Sequence, residues 1–187
     1  MSLTRKEMKE NQGRVEGLLQ TVERPGIDKV VEWLSSSDYY MAPASTMHHG
    51  NYEGGLAEHS YTVYKEFKRQ AEHYGLEVSE DSIILTSLLH DSCKVDFYVK
   101  NELKSGKTSE SKPYKTEDCF PLGHGEKSVA LIQRCMQLTA QEALIIRWHM
   151  GMNDPSWEDY SEKVERQYPE VTLFAHVDKE VSMIYKK

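Results

Sequence analysis

Six histidine and aspartate residues recur along this sequence at intervals that would each hold about one helix and its connection. The set is His59, the adjacent pair His90 and Asp91, His124, His149 and Asp178, with successive members separated by 25 to 33 residues. Neutral imidazole and carboxylate together suit Fe, Mn, Co, Ni or Zn better than Ca²⁺ or Mg²⁺. The spacing therefore predicts a metal site whose ligands come from several helices.

Asp178 shows most clearly why these residues would need a cation. It falls inside a helical stripe whose apolar members are Val171, Phe174, Ala175, Val181 and Tyr185. An ionised carboxylate among apolar side chains is strongly unfavourable unless it is paired or bound to a metal. The His90-Asp91 pair follows the most apolar run of the chain and presents the same problem. One shared cation would stabilise all of them, whereas any single histidine could instead be a hydrogen-bonded core residue, and Asp178 alone could cap a helix or pair with Lys or Arg.

Helical periodicity predicts the elements that must position these side chains. Helices are expected over residues 4–22, from 27 to about 34, from about 56, over a buried segment around 83–89, and again after Gly123. The capping-box pattern from Thr139 to Glu142 predicts a further helix reaching about Met150. A final helix is expected from Pro169 or Glu170 to about Tyr185, with a looser connection over 151–168 before it. The domain is predicted to be single and mainly α.

Residues 95–121 interrupt the helical pattern. A short strand is expected around 95–99, a turn at Ser105-Gly106-Lys107 and a second strand near Tyr114. Between positions 94 and 115 there are six lysines and three acidic residues, so this segment is locally basic. The pattern predicts a short β-hairpin or loop inserted into a helical bundle.

Composition narrows the classes of protein that fit. No stretch of eighteen apolar residues exists, so no membrane span is expected, and the N-terminus lacks the apolar core of a signal peptide. Three cysteines without C-x-x-C spacing favour reduced thiols in the cytoplasm. The net charge of −7 argues against long nucleic acid as a partner but permits a small phosphorylated substrate. The oligomeric state is not predicted.

The ordered series His…His-Asp…His…His…Asp resembles the HD-domain superfamily of metal-dependent phosphohydrolases in its two-metal form. The segment GGLAEHS at residues 54–60 is similar to the family's first histidine segment, in particular to that of bacterial 3′-to-5′ exoribonucleases. LLHDSCK at 88–94 resembles L-L-H-D-I-G-K, and GHGEKS at 123–128 resembles G-H-x-x-x-S. FAHVD at 174–178 is similar to the family's final segment. Cys93 replaces the usual glycine but leaves Lys94 in register.

This resemblance implies an all-α HD-domain bundle formed by residues 45–187, with residues 1–44 as an N-terminal helical segment packed on the core. It implies that His59, His90, Asp91 and Asp178 bind one divalent metal, and that Asp91 bridges to a second metal held by His124 and His149. One or two transition-metal ions (Fe, Mn, Co, Ni or Zn) are expected. Asp91 and Lys94 are the expected catalytic residues, and substrate contacts are expected from Lys94, His48, His49 and Arg147.

The function implied is hydrolysis of a phosphomonoester or phosphodiester, of a nucleotide in the leading interpretation, by a metal-activated hydroxide. One alternative is a 3′-to-5′ exonuclease acting on short RNA or DNA, which the basic insertion favours and the net charge opposes. A second alternative is a non-catalytic nucleotide-binding sensor. Such a sensor is expected to lack one or more ligands, and this sequence retains all six.

Overall fold

The structure is a computed structural model and describes residues 3–184. Helices make up most of this part of the chain. They are α1 (Arg5–Leu19), α2 (Ile27–Ser36), α3 (Gly55–Tyr74), α4 (Glu80–Leu89), α5 (His124–Ile132), α6 (Ala140–Trp148), α7 (Trp157–Gln167) and α8 (Pro169–Ile184). Two 3₁₀ turns lie at Ser92–Lys94 and Gly151–Asn153, and strands β1 (Tyr98–Lys100) and β2 (Tyr114–Thr116) pair antiparallel. The predicted all-α bundle with a short hairpin insertion is confirmed.

The centre of the bundle is α4, which packs against α3 and α6. Nearly every position of α4 is apolar or small, so its residues from Ser82 to Leu89 are all buried. Helix α8 packs against α3 and α6, and the rings of Phe67 and Phe174 meet edge to face with centroids 4.9 Å apart. Because α3, α4, α6 and α8 pack together, His90 and Asp91 at the end of α4 lie in the middle of the protein.

The N-terminal helices pack on this same core. Val15 and Leu19 of α1 are fully buried, and α1 contacts α3 and α4. Arg24, between α1 and α2, forms an ion pair with the completely buried Glu142 of α6. Glu142 also closes the predicted capping box with Thr139. The division at residue 44 between an N-terminal segment and an HD domain stays a prediction.

Residues 151–168 differ from the sequence prediction. The expected looser connection is wrong for its second half, because Trp157–Gln167 forms helix α7. Trp157 and Val164 are the buried positions of this helix, and the Trp157 ring lies edge-on to Trp148 with centroids 5.6 Å apart. Most of the other side chains of α7 are charged or polar, so its apolar stripe is too narrow to stand out. Tyr185, the expected end of α8, lies outside the described residues.

None of the helices within residues 3–184 is both long enough and apolar enough to cross a lipid bilayer.

The buried ion pair between Arg24 and Glu142 should contribute measurably to the free energy of unfolding by holding the N-terminal segment on the core. Replacing Arg24 by Met leaves the Glu142 carboxylate buried with fewer partners, so the free energy of unfolding should fall by roughly 2 kcal/mol. Urea unfolding followed by circular dichroism measures this change. The control is Lys6→Met, which breaks an exposed pair with Glu10 and should change stability by less than about 1 kcal/mol. Equal effects of the two variants would contradict this role of Arg24.

Candidate metal centre

The six predicted ligands converge because most of them lie at the ends of helices that meet in the core. His59 is in the first turns of α3, and Asp178 is in the middle of α8. His90 and His149 follow the last residues of α4 and α6 as their C-caps, and His124 is the first residue of α5. Asp91 connects α4 to the 3₁₀ turn Ser92–Lys94. Five helices therefore supply one cluster.

The close approach of α5 to α6 depends on a glycine. A Cβ atom at Gly125 would lie 2.1 Å from the carbonyl oxygen of Arg147, so no larger residue fits there without moving a helix. Ser128, one turn later, accepts a hydrogen bond of 3.0 Å from the backbone N–H of Cys93. These two contacts hold the start of α5 against the turn that carries Asp91, and they place the rings of His124 and His149 5.1 Å apart.

One half of the cluster surrounds Asp178. Its Oδ1 atom lies 2.9 Å from Nε2 of His59 and 3.6 Å from Nε2 of His90. The other half surrounds Asp91, whose Oδ1 lies 2.9 Å from Nε2 of His124 and 3.6 Å from Nε2 of His149. Asp91 also reaches the first half, because its Oδ2 is 3.4 Å from Nε2 of His90 and 3.7 Å from Nε2 of His59. Asp91 thus stands between two groups of imidazoles.

The histidine tautomers suit metal binding. Nδ1 of His90 lies 2.8 Å from the carbonyl oxygen of Ser87, and Nδ1 of His149 lies 2.6 Å from that of Ile146. A carbonyl oxygen only accepts a hydrogen bond, so each Nδ1 carries a proton and Nε2 is the ring atom that a metal would bind. These Nε2 atoms, and that of His59, are buried, and within residues 3–184 none of them makes a well-aligned hydrogen bond, although carboxylate oxygens of Asp91 and Asp178 lie 2.9 to 3.7 Å away. Buried ring nitrogens that face two carboxylates in this way fit divalent metal ions.

The electrostatics of the cluster keep both carboxylates ionised. Burial raises the pKa of Asp91, but Lys94 and His90 outweigh it and hold the pKa well below the usual value. His59 and His90 likewise outweigh burial at Asp178 and lower its pKa. Burial disfavours the charged form of His90, yet Asp91 and Asp178 raise its pKa to about 10. Without a metal, protonated His90 and Lys94 therefore offset the negative charge of the two carboxylates.

A cavity of about 620 Å³ opens onto this cluster. Its lining includes Asp91, His124, His149 and Asp178. Three of the four residues predicted to contact substrate also line it, namely Lys94, His48 and His49. Lys94 reaches back across the 3₁₀ turn, and its Nζ lies 2.6 Å from Oδ2 of Asp91. Burial and the charges of His59 and Lys94 lower the pKa of His49 to about 4, so this ring is neutral at pH 7.

Arg147 is the predicted substrate residue that the structure does not bring to this cavity. Its guanidinium pairs with Glu126 and lies 2.6 Å from a carboxylate oxygen of Asp154. The same group lies 3.8 Å from the centroid of the Trp148 ring. These contacts hold Arg147 on a different helix face from His149, as expected for a residue two positions earlier in the sequence.

Several lining residues were not among those predicted. Tyr98 comes from the hairpin, Asn153 from the second 3₁₀ turn, and Ser182 from α8. Ser182 carries a sequence signal, since it follows Asp178 by one helical turn and shares its face. Tyr98 and Asn153 carry none, because loop geometry decides where they lie. Cys93, also unassigned, lies with its Sγ 3.4 Å from Nδ1 of His124.

Metal binding predicts a stabilisation that depends on His59. At a free metal concentration near 100 times Kd, binding adds about 2.7 kcal/mol, which corresponds to a rise in Tm of roughly 5 to 11 °C for a chain of this size. Chelation should reverse the rise, and His59→Ala should remove the part of it that a metal beside Asp178 contributes. The matched control is His73→Ala, an exposed histidine of the same helix. Thermal denaturation with and without Mn²⁺, Co²⁺ or Zn²⁺ measures the effect. A full rise in the His59 variant would contradict the assignment.

Comparison with known proteins agrees with this geometry. The family model of the HD domain matches residues 56–183, more than half of the chain. The chain is 34% identical over 119 residues to dihydroneopterin 2′,3′-cyclic phosphate phosphodiesterase of Methanocaldococcus jannaschii. That alignment covers 62% of this chain and 44% of the relative, so the chain spans less than half the relative's length. No solved structure gives a significant match. The predicted resemblance is confirmed, and the chain belongs to the HD-domain family.

Proposed function

We propose that this protein is a metal-dependent phosphohydrolase that cleaves a phosphodiester or phosphomonoester bond in a small, nucleotide-like molecule. The observation that carries the proposal is the convergence of four histidines and two aspartates in one cluster, four of whose members line the cavity. Among the residues that the structure describes, the buried Nε2 atoms of His59, His90 and His149 face the carboxylates of Asp91 and Asp178 without a well-aligned hydrogen bond. HD domains bind divalent metals, and these residues form groups that could hold them. We propose two metal positions, with Asp91 between them.

The first position would be held by His59, His90, Asp91 and Asp178, and the second by Asp91, His124 and His149. When bound, divalent transition metals would lower the pKa of water to yield a nucleophile and neutralise charge on phosphoryl oxygens. The identity of the metal is proposed to lie among Fe, Mn, Co, Ni and Zn, because imidazole and carboxylate ligands suit these ions.

The chain's own residues would orient the substrate. Lys94 keeps its positive charge because the charge of Asp91 outweighs burial and raises the Lys94 pKa. Its ammonium group lines the cavity beside the metal ligands, where it would attract a phosphate group and stabilise charge on the phosphoryl oxygens. Burial raises the pKa of Tyr98 to about 12, so its hydroxyl stays protonated and would serve as a hydrogen-bond donor.

The size of the cavity supports a small substrate. A volume of about 620 Å³ is within the range of roughly 300 to 1,000 Å³ that is typical of small-molecule sites. The related phosphodiesterase is named for a 2′,3′-cyclic phosphate of dihydroneopterin, a small molecule of this class. We therefore propose a cyclic or terminal phosphate on a nucleotide-like group as the substrate. We also propose a cytoplasmic location, which is supported by three cysteines that form no disulfide with one another.

The exonuclease alternative depends on the lysines of the hairpin. Lys104 and Lys107 are exposed at its tip, whereas Lys100 lies 3.2 Å from Glu53 and Lys115 lies 3.4 Å from Glu117. Two of these lysines are thus partly neutralised by carboxylates. Binding of single-stranded RNA or DNA with a steep dependence on salt concentration would favour the nuclease.

Activity should require Asp91 and added metal. With 2′,3′-cyclic nucleotides and p-nitrophenyl phosphate as probes, we expect hydrolysis in the presence of Mn²⁺, Co²⁺, Ni²⁺ or Fe²⁺. Asp91→Asn should lower kcat at least about 100-fold, because it removes the charge shared by both metal positions. The control is Asp159→Asn, at an exposed position of α7. Nucleotide binding without turnover under any metal would instead support the non-catalytic sensor.

Replacing Lys94 should lower turnover but leave metal binding unchanged. Lys94→Met should lower kcat roughly 100-fold, the usual effect of removing one group that stabilises transition-state charge. Metal content measured by elemental analysis should not change, since Lys94 is not a ligand. Lys104→Met, an exposed lysine of the hairpin, is the matched control and should keep the kcat of the unaltered protein. Loss of metal together with activity in Lys94→Met would contradict this division of roles.

A further inference from the structure

The thiol of Cys93 lies inside the cluster of candidate ligands. Its Sγ atom is 3.4 Å from Nδ1 and 3.5 Å from Nε2 of the His124 ring. Only 3% of the Cys93 surface is exposed. The usual family residue at this position is a glycine, which offers no side chain. The sulfur is therefore a feature of this chain's own sequence.

The backbone holds this sulfur in place. Cys93 is the middle residue of the 3₁₀ turn Ser92–Lys94, and its N–H donates to Oγ of Ser128 on α5. The same turn carries Asp91 at its start, and α5 carries His124 at its own start. Two elements that are tied together thus fix the positions of sulfur, carboxylate and imidazole relative to one another.

The atoms around Cys93 form a set of metal-ligand types. A carboxylate oxygen of Asp91, Sγ of Cys93 and a ring nitrogen of His124 all lie within 4.8 Å of one another. Asp91 links this group to His149, whose Nε2 lies 3.6 Å from Oδ1 of Asp91 and which forms a second group with Asp91 and His90. That nitrogen belongs to a side chain only 1% exposed and makes no well-aligned hydrogen bond within residues 3–184. Asp91, Cys93 and His124 thus offer one oxygen, one sulfur and one nitrogen, donor types that bind zinc and other thiophilic metals.

We propose that Cys93 is a thiolate ligand of the metal that Asp91, His124 and His149 hold. This inference rests on the proposed metal centre. As the sulfur–metal bond forms, the thiol proton leaves to solvent, because a coordinating thiol is deprotonated. Thiolate is a soft ligand that favours Zn²⁺, Co²⁺ and Fe²⁺ over Mn²⁺ and Mg²⁺. The position near Asp178, held by imidazole and carboxylate without sulfur, has no such preference for a soft metal. The two positions would therefore differ in the metals they select.

Cobalt spectroscopy tests this ligand directly. Cys119→Ser and Cys135→Ser together remove the other two thiols, which are respectively exposed and partly buried. Co²⁺ added to this double variant should produce a thiolate-to-cobalt charge-transfer band in the near ultraviolet, together with the d–d bands of bound cobalt. Adding Cys93→Ser should remove the charge-transfer band and leave d–d bands. A band that persists without Cys93 would overturn the proposal, as would its absence from the double variant when d–d bands show that cobalt is bound.

X-ray absorption on the zinc-loaded double variant gives a result that does not depend on how the Cys93 variant folds. A sulfur scatterer in the first coordination sphere is expected, and a sphere of nitrogen and oxygen alone would overturn the proposal. In that case the thiol only contacts the His124 ring. Failure of the metal centre itself looks different, because cobalt would then give no bound-state spectrum and zinc would not remain with the protein after dialysis.

Discussion

Two ionised carboxylates in the middle of the protein set the main physical constraint on this fold. Asp91 is 2% exposed, so its charge must be offset mainly by neighbouring groups of the protein. Lys94 and His90 do so most strongly, and the imidazoles of His59, His124 and His149 surround the same two carboxylates from other elements. Most of the bundle, from the apolar α4 to the close contact at Gly125, can be understood as what holds these groups together.

The same arrangement links stability to chemistry. Without a metal, a proton on His90 and the charge of Lys94 offset the carboxylates, whereas divalent ions would bind the carboxylates and the Nε2 atoms directly. Residues that complete the site fall into two kinds. Asp91 and Asp178 belong to the charge balance itself, while Lys94 and Tyr98 line the cavity where a phosphate would enter. Cys93 would add a sulfur to one side only and make the two halves of the centre chemically unequal.

Much of this could be predicted from the sequence because ligand residues interrupt strong helical patterns. Asp178 within an apolar stripe, and His90-Asp91 at the end of an apolar run, were visible without coordinates. Features that depend on how the helices pack against one another could not be predicted from the sequence. The contact of Cys93 with His124 needs α5 to approach the 3₁₀ turn, and Arg147 is held by Asp154, whose loop position no periodicity reveals. Helix α7 was missed because only Trp157 and Val164 of its residues are buried.

The most direct test of the account is anomalous X-ray diffraction from crystals of the protein loaded with zinc or manganese, recorded at the absorption edge of the metal. The account predicts anomalous density beside Asp91 on both sides, one peak contacting His59, His90 and Asp178 and the other contacting His124 and His149. A single peak in the first position would reduce the proposed centre to one metal. Absence of a peak within this cluster, with the histidine rings unchanged, would contradict the central claim.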